Sequence, residues 1–224
     1  GTITFTPTVA YTGTGSFTYT IKDTKGAISA AATVTITPVN QAPTAVADTK
    51  TIVEDTPRTF TASELTTNDT DPEHGALAVH SVSNPVGGEV ILNGDGTVTF
   101  TPATDFNGTA SFSYRVKDAL GAVSTNSATV TVNVLGVNDP PTAVNDTKVM
   151  YEDTPRTFVS GELTYNDTDP EHNALSVHSV DNAIGGTVAL NGDGTITFTP
   201  ATDFNGQASF TYKVKDFLGA VSTN

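Results

Sequence analysis

Ala110-Ser111-Phe112-Ser113-Tyr114-Arg115-Val116-Lys117 decides the fold. Phe112, Tyr114 and Val116 alternate with polar residues, which is the period of a strand with one face buried in an antiparallel sheet. Thr97-Val98-Thr99-Phe100-Thr101 alternates in the same way, as does Ala128 to Val134. Between Val90-Ile91-Leu92 and Thr97-Val98 lies Asn93-Gly94-Asp95-Gly96, a tight turn that needs positive φ and predicts a hairpin. Further strands are expected at Ala45–Val53, Arg58–Thr61 and Leu77–Val82. Ser63-Glu64-Leu65 fits a single helical turn, and no window carries a sustained 3.6-residue period. Seven short strands in roughly 98 residues fit a two-sheet Greek-key sandwich, so the chain is read as all-β.

The pattern repeats. Thr44–Asn126 aligns without gaps on Thr142–Asn224 at a shift of 98, with 63 identities in 83 positions. Gly1–Gly26 aligns on Gly96–Gly121 at a shift of 95. The expected organisation is therefore the C-terminal part of one repeat (1–39), a complete repeat (40–137), and a repeat lacking its last strand (138–224). Val39-Asn40-Gln41-Ala42-Pro43 and Val137-Asn138-Asp139-Pro140-Pro141 form short, Pro-stiffened boundaries. An unpaired edge in 138–224 and the half-repeat 1–39 are expected to complement each other between molecules.

Twenty-four acids stand against 10 Lys and Arg, a net charge of −14. That balance argues against nucleic acid and anionic membrane surfaces as partners. The acidity belongs to the repeat: residues 44–126 and 142–224 each hold 11 acids and 4 bases, while 1–43 holds one acid and two bases. No cysteine is present, so rigidity does not come from disulfides, and no apolar run approaches the ~18 residues of a membrane span.

The acids have a focus. Asn68-Asp69-Thr70-Asp71-Pro72-Glu73-His74 recurs unchanged as Asn166–His172, placing Asp69, Asp71, Glu73 and then Asp167, Asp169, Glu171 at alternate positions. Several carboxylate oxygens in one loop suit a hard cation such as Ca²⁺ and repel one another without it. A solvated turn, in which Asn and Asp bond their own backbone, is the competing reading. Of Glu54-Asp55 and Glu152-Asp153, the Glu is the candidate ligand and Asp55 a turn residue before Pro57. His74, His80, His172 and His178 read as surface or strand positions rather than metal ligands. Phe100, Phe106, Phe112 and Tyr114 read as core. Tyr151 and Tyr165, which stand where Val53 and Thr67 do, are the candidates for an exposed contact. No nucleophile-elbow motif occurs, and the chain is read as non-enzymatic.

Tyr114-x-Val116-x-Asp118-x-x-Gly121-x-x-Ser124, Ala128-x-Val130-x-Val132-x-Val134 and Val137-Asn138-Asp139-x-Pro141 resemble the end of a cadherin repeat. Together with Glu54-Asp55-Thr56, Asn68-Asp69-x-Asp71, Asp95-Gly96-Thr97 through Pro102, and Phe106-x-Gly108, the unit is similar to the cadherin-like tandem repeats of large secreted bacterial adhesins and biofilm proteins. The resemblance implies calcium between consecutive domains. Its ligands at the second boundary would be Glu54, Asp105 and Asn107, then Asn138 and Asp139, then Asp167, Asp169 and Asp216. At the first boundary Ala10, Thr12 and Gln41 replace Asp105, Asn107 and Asp139, so a weaker or empty site is expected there, although Asp69, Asp71 and Asp118 are available. The implied role is a calcium-stiffened extension or adhesion module, secreted or on a bacterial cell surface and not inserted in a membrane. The alternative is calcium-dependent binding of polysaccharide or of a like repeat on another molecule, or service as an accessory of a secreted hydrolase.

Overall fold

The computed structural model describes residues 1–8, 11 and 13–223. Ala10 and Thr12, on which part of the expectation for the first boundary rests, lie outside the described residues. The chain divides into two compact units, Gly1–Gly136 and Val137–Asn224.

The first unit opens with a hairpin. Strands β1 (Gly15–Tyr19) and β2 (Ala32–Ile36) pair antiparallel, and Phe5 stacks on Phe17 with ring centroids 6.3 Å apart. The complete sandwich follows. One sheet has the order β3 (Asp48–Val53), β9 (Ala128–Leu135), β8 (Gly108–Lys117), β5 (Ala78–Val86). The other has the order β4 (Arg58–Phe60), β7 (Val98–Pro102), β6 (Gly88–Leu92). Every pair is antiparallel except β3 and β9, which run parallel in the register Asp48↔Val130 to Val53↔Leu135. The expected all-β sandwich is thus present, with the first and last strands of the repeat side by side.

Alternation becomes packing. In β8, Ala110, Phe112, Tyr114 and Val116 are fully buried, and in β9 Ala128, Val130, Val132 and Val134 join them. Phe112 contacts Phe60 and Phe100 at centroid distances of 6.5 and 5.9 Å. Phe106 caps the cluster at its edge, and it is why the β5–β6 corner is glycine. A Cβ on Gly87 would lie 2.7 Å from the Phe106 ring, and one on Gly88 would lie 2.3 Å from the Thr101 carbonyl oxygen. The helical turn around Ser63 is α1 (Ala62–Thr66), closed by a capping box between Thr61 and Glu64.

The second unit repeats most of this plan. Its sheets are β10 (Arg156–Phe158), β13 (Ile196–Pro200), β12 (Gly186–Leu190), and β11 (Ser176–Ile184) with β14 (Ser209–Lys215). Helix α2 (Ser160–Thr164) stands where α1 does, but Val159 replaces Thr61 and gives no side-chain cap. Residues 146–151, which match β3, form no strand, and β14 begins three residues later than its counterpart β8. The physical reason is in the pairing: β9 holds both β3 and the first residues of β8, and among the described residues nothing takes its place here.

Candidate metal centre

The acidic heptad is fastened to the start of its own repeat. Thr44 and Thr70 exchange backbone hydrogen bonds, and Asn68 Nδ2 donates to the Ala47 carbonyl at 2.9 Å. Asp69 then points at the sandwich. Its Oδ1 accepts from the Val46 amide (2.7 Å) and from the Tyr114 hydroxyl (2.9 Å). The same hydroxyl lies 2.8 Å from the Val46 and Leu65 carbonyls and 3.0 Å from Asp48 Oδ2. One phenolic proton thus serves four acceptors, two of them carboxylates. Burial and these carboxylates push the Tyr114 pKa far up. Burial also pushes Asp69 up, against the Val46 amide and the Tyr114 hydroxyl that favour its charge, with Asp48 adding repulsion. Tyr212, Asp167, Asp146, Val144 and Leu163 repeat the arrangement in the second unit.

Asp71 and Glu73 take other partners. Asp71, 8% exposed, accepts from the Gly75 amide through Oδ2, and its Oδ1 is buried with no donor. Glu73 accepts from the backbone and side-chain amides of Gln41, both at 3.4 Å. The three alternate acids therefore do not offer oxygens within 4.8 Å of one another. The alternation that makes them look equivalent distributes them instead between the core tyrosine, the loop and the linker.

The linker gathers the remaining oxygens. In the first unit Asn40 Nδ2 donates to Asp118 Oδ2 at 2.8 Å, leaving Asn40 Oδ1 buried without a donor. In the second unit Asn138 Nδ2 donates to Asp216 Oδ2 at 2.6 Å, Asn173 Nδ2 reaches Asn138 Oδ1 at 3.4 Å, and the Asn173 amide donates to Asp169 Oδ1 at 2.8 Å. Asp169 Oδ2 is buried with no donor. The Asp139 amide donates to Glu171 Oε2 at 3.2 Å. Asn138, Asp139, Asp169, Glu171 and Asp216 are thus brought together at one end of that unit. Asp118 and Asp216 both cap Asp-x-x-Gly turns. Desolvation raises each carboxyl, yet the Asn side chain and the turn amides outweigh it and hold both below the ordinary carboxylate value.

Three residues of these arrangements carry little signal in the sequence. Asn173 stands where repeat 40–137 has Gly75, and its only signal is that it is one of the few substitutions beside an otherwise identical heptad. Asp48 and Asp146 looked like strand residues and instead face the tyrosine hydroxyls.

At the opposite end of the first unit, the Glu54 amide donates to the Leu135 carbonyl, and Asp55 turns with φ 54° and accepts from the Asp105 amide at 3.1 Å. Asp105 is itself at φ 53°. Asp153 and Asp203 repeat this at φ 55° and 56°, beside an exposed Glu152. Asp55 is therefore a turn residue, as expected, and it holds Asp105 in place.

An oxygen-only donor set, with carboxylate oxygens buried and left without protons to accept, fits a hard divalent cation and not a transition metal. The four histidines are exposed, and His74 and His172, which end the two heptads, bond the Asp71 and Asp169 carbonyls through their backbone amides.

A family model for cadherin-like domains matches residues 39–133 and 137–224, and one for a bacterial Ig domain matches residues 1–37. The chain belongs to the cadherin-like domain family. Among solved structures, the first three repeats of mouse protocadherin-24 superpose with a TM-score of 0.54 at 13% identity, covering 93% of this chain and 76% of that one. Human desmocollin-1 is similar at 16% identity and a TM-score of 0.41, and an endo-fucoidan hydrolase of glycoside hydrolase family 107 at 17% and 0.33. The chain covers 87% and 97% of itself in these matches but only 38% and 34% of those proteins, so it spans little more than a third of either. No curated protein matches. At such identities the likeness speaks for the sandwich fold alone. Cadherin-like and Ig-like domains are non-enzymatic as a rule, and among the described residues no helix is long and apolar enough to cross a membrane.

Proposed function

We propose that this chain is a calcium-stiffened extension and adhesion module of a larger secreted or surface-bound bacterial adhesin. The observation that carries the reading is the pair of buried carboxylate oxygens without a donor, Asp71 Oδ1 and Asp169 Oδ2, each in a loop tied to its linker. A bound divalent cation supplies the positive charge these oxygens lack, and it neutralises a chain of net charge −14 where its acids are densest. The proposed ligands are Asn138, Asp139, Asp167, Asp169, Glu171 and Asp216, with Glu54, Asp105 and Asn107 as the family resemblance implies. Asp69, Asp71, Glu73 and Asp118 form the corresponding set of the preceding repeat, and Glu152 stands where Glu54 does. The three repeats are proposed to be 1–39, 40–137 and 138–224.

The two sets are unequal. Gln41 brings a neutral side-chain amide to Glu73 where the second set has the carboxylate of Asp139, so the first set has one negative charge fewer to offer a cation. Calcium titration of the chain, followed by thermal unfolding, is the test. Calcium raises the melting temperature, and Asp169→Asn lowers affinity at least about tenfold, or ~1.4 kcal/mol. Asp71→Asn has a smaller effect on the tighter phase. Identical melting curves with calcium and with chelator would refute the reading.

A further inference from the structure

The outer face of the four-stranded sheet in residues 40–136 differs in charge from the rest of the chain. Alternation along β8 turns Phe112, Tyr114 and Val116 inward and Ser113, Arg115 and Lys117 outward. The pairing sets Ser81 opposite Arg115, Thr129 opposite Ser113 and Thr131 opposite Ser111. On β3, Asp48 turns inward to the Tyr114 hydroxyl and Ile52 is buried, so Thr49 and Thr51 share the outer face. The result is a plane of hydroxyls with two cations at one end. Among the described residues no carboxylate stands on it, although residues 44–126 hold 11 acids.

These two cations are the ones the fold does not use. Of the four bases in residues 44–126, Lys50 pairs with Asp48 at 3.2 Å and Arg58 with Glu64 at 3.0 Å. Arg115 and Lys117 are exposed and make no ion pair among the described residues. Arg115 donates through Nη2 to the Thr125 carbonyl at 2.8 Å, which fixes the guanidinium and leaves its other N–H groups for a ligand. The division recurs in residues 137–224. Lys148 and Arg156 pair with Asp146 and Glu162, while Lys213 and Lys215 stay exposed on the outer face of β14. One substitution separates the two faces. Asp181 stands where Ser83 does, and it places an exposed carboxylate on β11 opposite Thr211.

The chemistry of the face selects its partner. Protein interfaces are centred on aromatic or large apolar anchors. This face has no aromatic residue, and its large apolar side chains, Val53, Val86 and Leu135, lie at the end away from Arg115 and Lys117. Side chains two positions apart on a strand stand about 7 Å apart, so the two cations meet successive anionic groups of one linear polymer. The hydroxyls of Ser81, Ser113 and Thr129 both donate and accept, which matches sugar hydroxyls lying between those groups. Salt screens the repulsion from the acids of the loops. We infer that the outer face of β8 and its neighbours binds a linear polysaccharide carrying sulfate or carboxylate groups, through Arg115 and Lys117. Residues 137–224 offer a weaker version of the same surface, because Asp181 repels such a chain. The binding does not rest on calcium and is tested in chelator.

The probe is dextran sulfate, titrated into the isotope-labelled chain in chelator at about 0.15 M salt. Expected are amide shifts at 78–83, 111–117 and 129–131, reached at lower polymer concentration than those at 176–181 and 211–215, and none with neutral dextran. Arg115→Ser together with Lys117→Ser weakens binding at the first face at least about tenfold, with the second face and the melting temperature unchanged. Asp181→Ser tightens the second face. The inference is overturned if the double variant binds like the parent chain, or if Asp181→Ser leaves the second face no tighter. It is also overturned if neutral dextran gives the same shifts, if the shifts fall on the acidic heptads instead, or if polyglutamate of equal charge binds as well, for then an acidic protein is the occupant.

Discussion

Residues 40–136 and residues 137–224 are closely similar in sequence and differ in how far they close. In the first, Phe112 lies between Phe60 and Phe100 under a complete four-stranded sheet, and its exposure is 1%. In the second, Phe210 keeps both aromatic neighbours, Phe158 at 6.3 Å and Phe198 at 5.9 Å, but it is half-buried beside a cavity of about 770 Å³. The comparison separates what a sequence fixes locally from what a neighbouring strand must supply. Turns, the single helical turn and the hairpins survive in both regions, although only α1 keeps a side-chain cap. The strand character of 146–151 does not, although β3 differs from it only in its last three residues.

Truncation at the centre of each core tests this most strongly. Phe112→Ala leaves a closed cavity and costs about 3–5 kcal/mol, while Phe210→Ala enlarges a space already open and costs about half as much. Urea unfolding with a probe in each region reads both values, and equal losses would abolish the contrast. Removing a hydroxyl comes next. Tyr114→Phe strands the Val46 and Leu65 carbonyls and frees Asp48 and Asp69 to repel, a loss of about 1–3 kcal/mol. Tyr212→Phe loses less, because its surroundings are half-open. A smaller change has the opposite sign. Val159→Thr restores the cap that Thr61 gives α1 and stabilises residues 137–224 by about 0.5–1 kcal/mol, seen as a later second transition.

The smallest effect is one of pH. Asp95 is held below its ordinary value of 3.8 by the backbone amide and then the hydroxyl of Thr97, and Asp193 by the hydroxyl and then the amide of Thr195. A carboxyl depressed by folding stabilises above its unfolded pKa, and that contribution disappears as pH falls through its folded one. The double variant Asp95→Asn, Asp193→Asn therefore shows a slightly shallower fall in melting temperature below about pH 4 than the parent chain. A steeper fall would reverse the assignment.

The seven strands were legible because Thr, Val and aromatic residues alternate without interruption, and the Asn93–Gly96 turn because Gly96 takes positive φ. Boundaries were less so. The stretch expected to begin β3 at Ala45 spends residues 44–47 holding the heptad, and the strand proper begins at Asp48. The candidate site was legible as a set of residues but not as an arrangement. Asp69 and Asp71 look alike two positions apart. Only the sandwich decides that Asp69 meets Tyr114, 45 residues away, while Asp71 turns to its own loop. Asn173 acquires its role only because the linker folds back to bring Asn138 beside it.

The parallel pairing of β3 with β9 has a mechanical consequence. The chain enters the sandwich of residues 40–136 before β3 and leaves it after β9, and the two strands point the same way. Tension pulling the two ends of that repeat apart therefore runs along the strand axes. It loads the hydrogen bonds of six residue pairs, Asp48↔Val130 to Val53↔Leu135, in shear and all together, instead of peeling them one at a time. A module built in this way resists being pulled open far better than its modest hydrogen-bond count suggests.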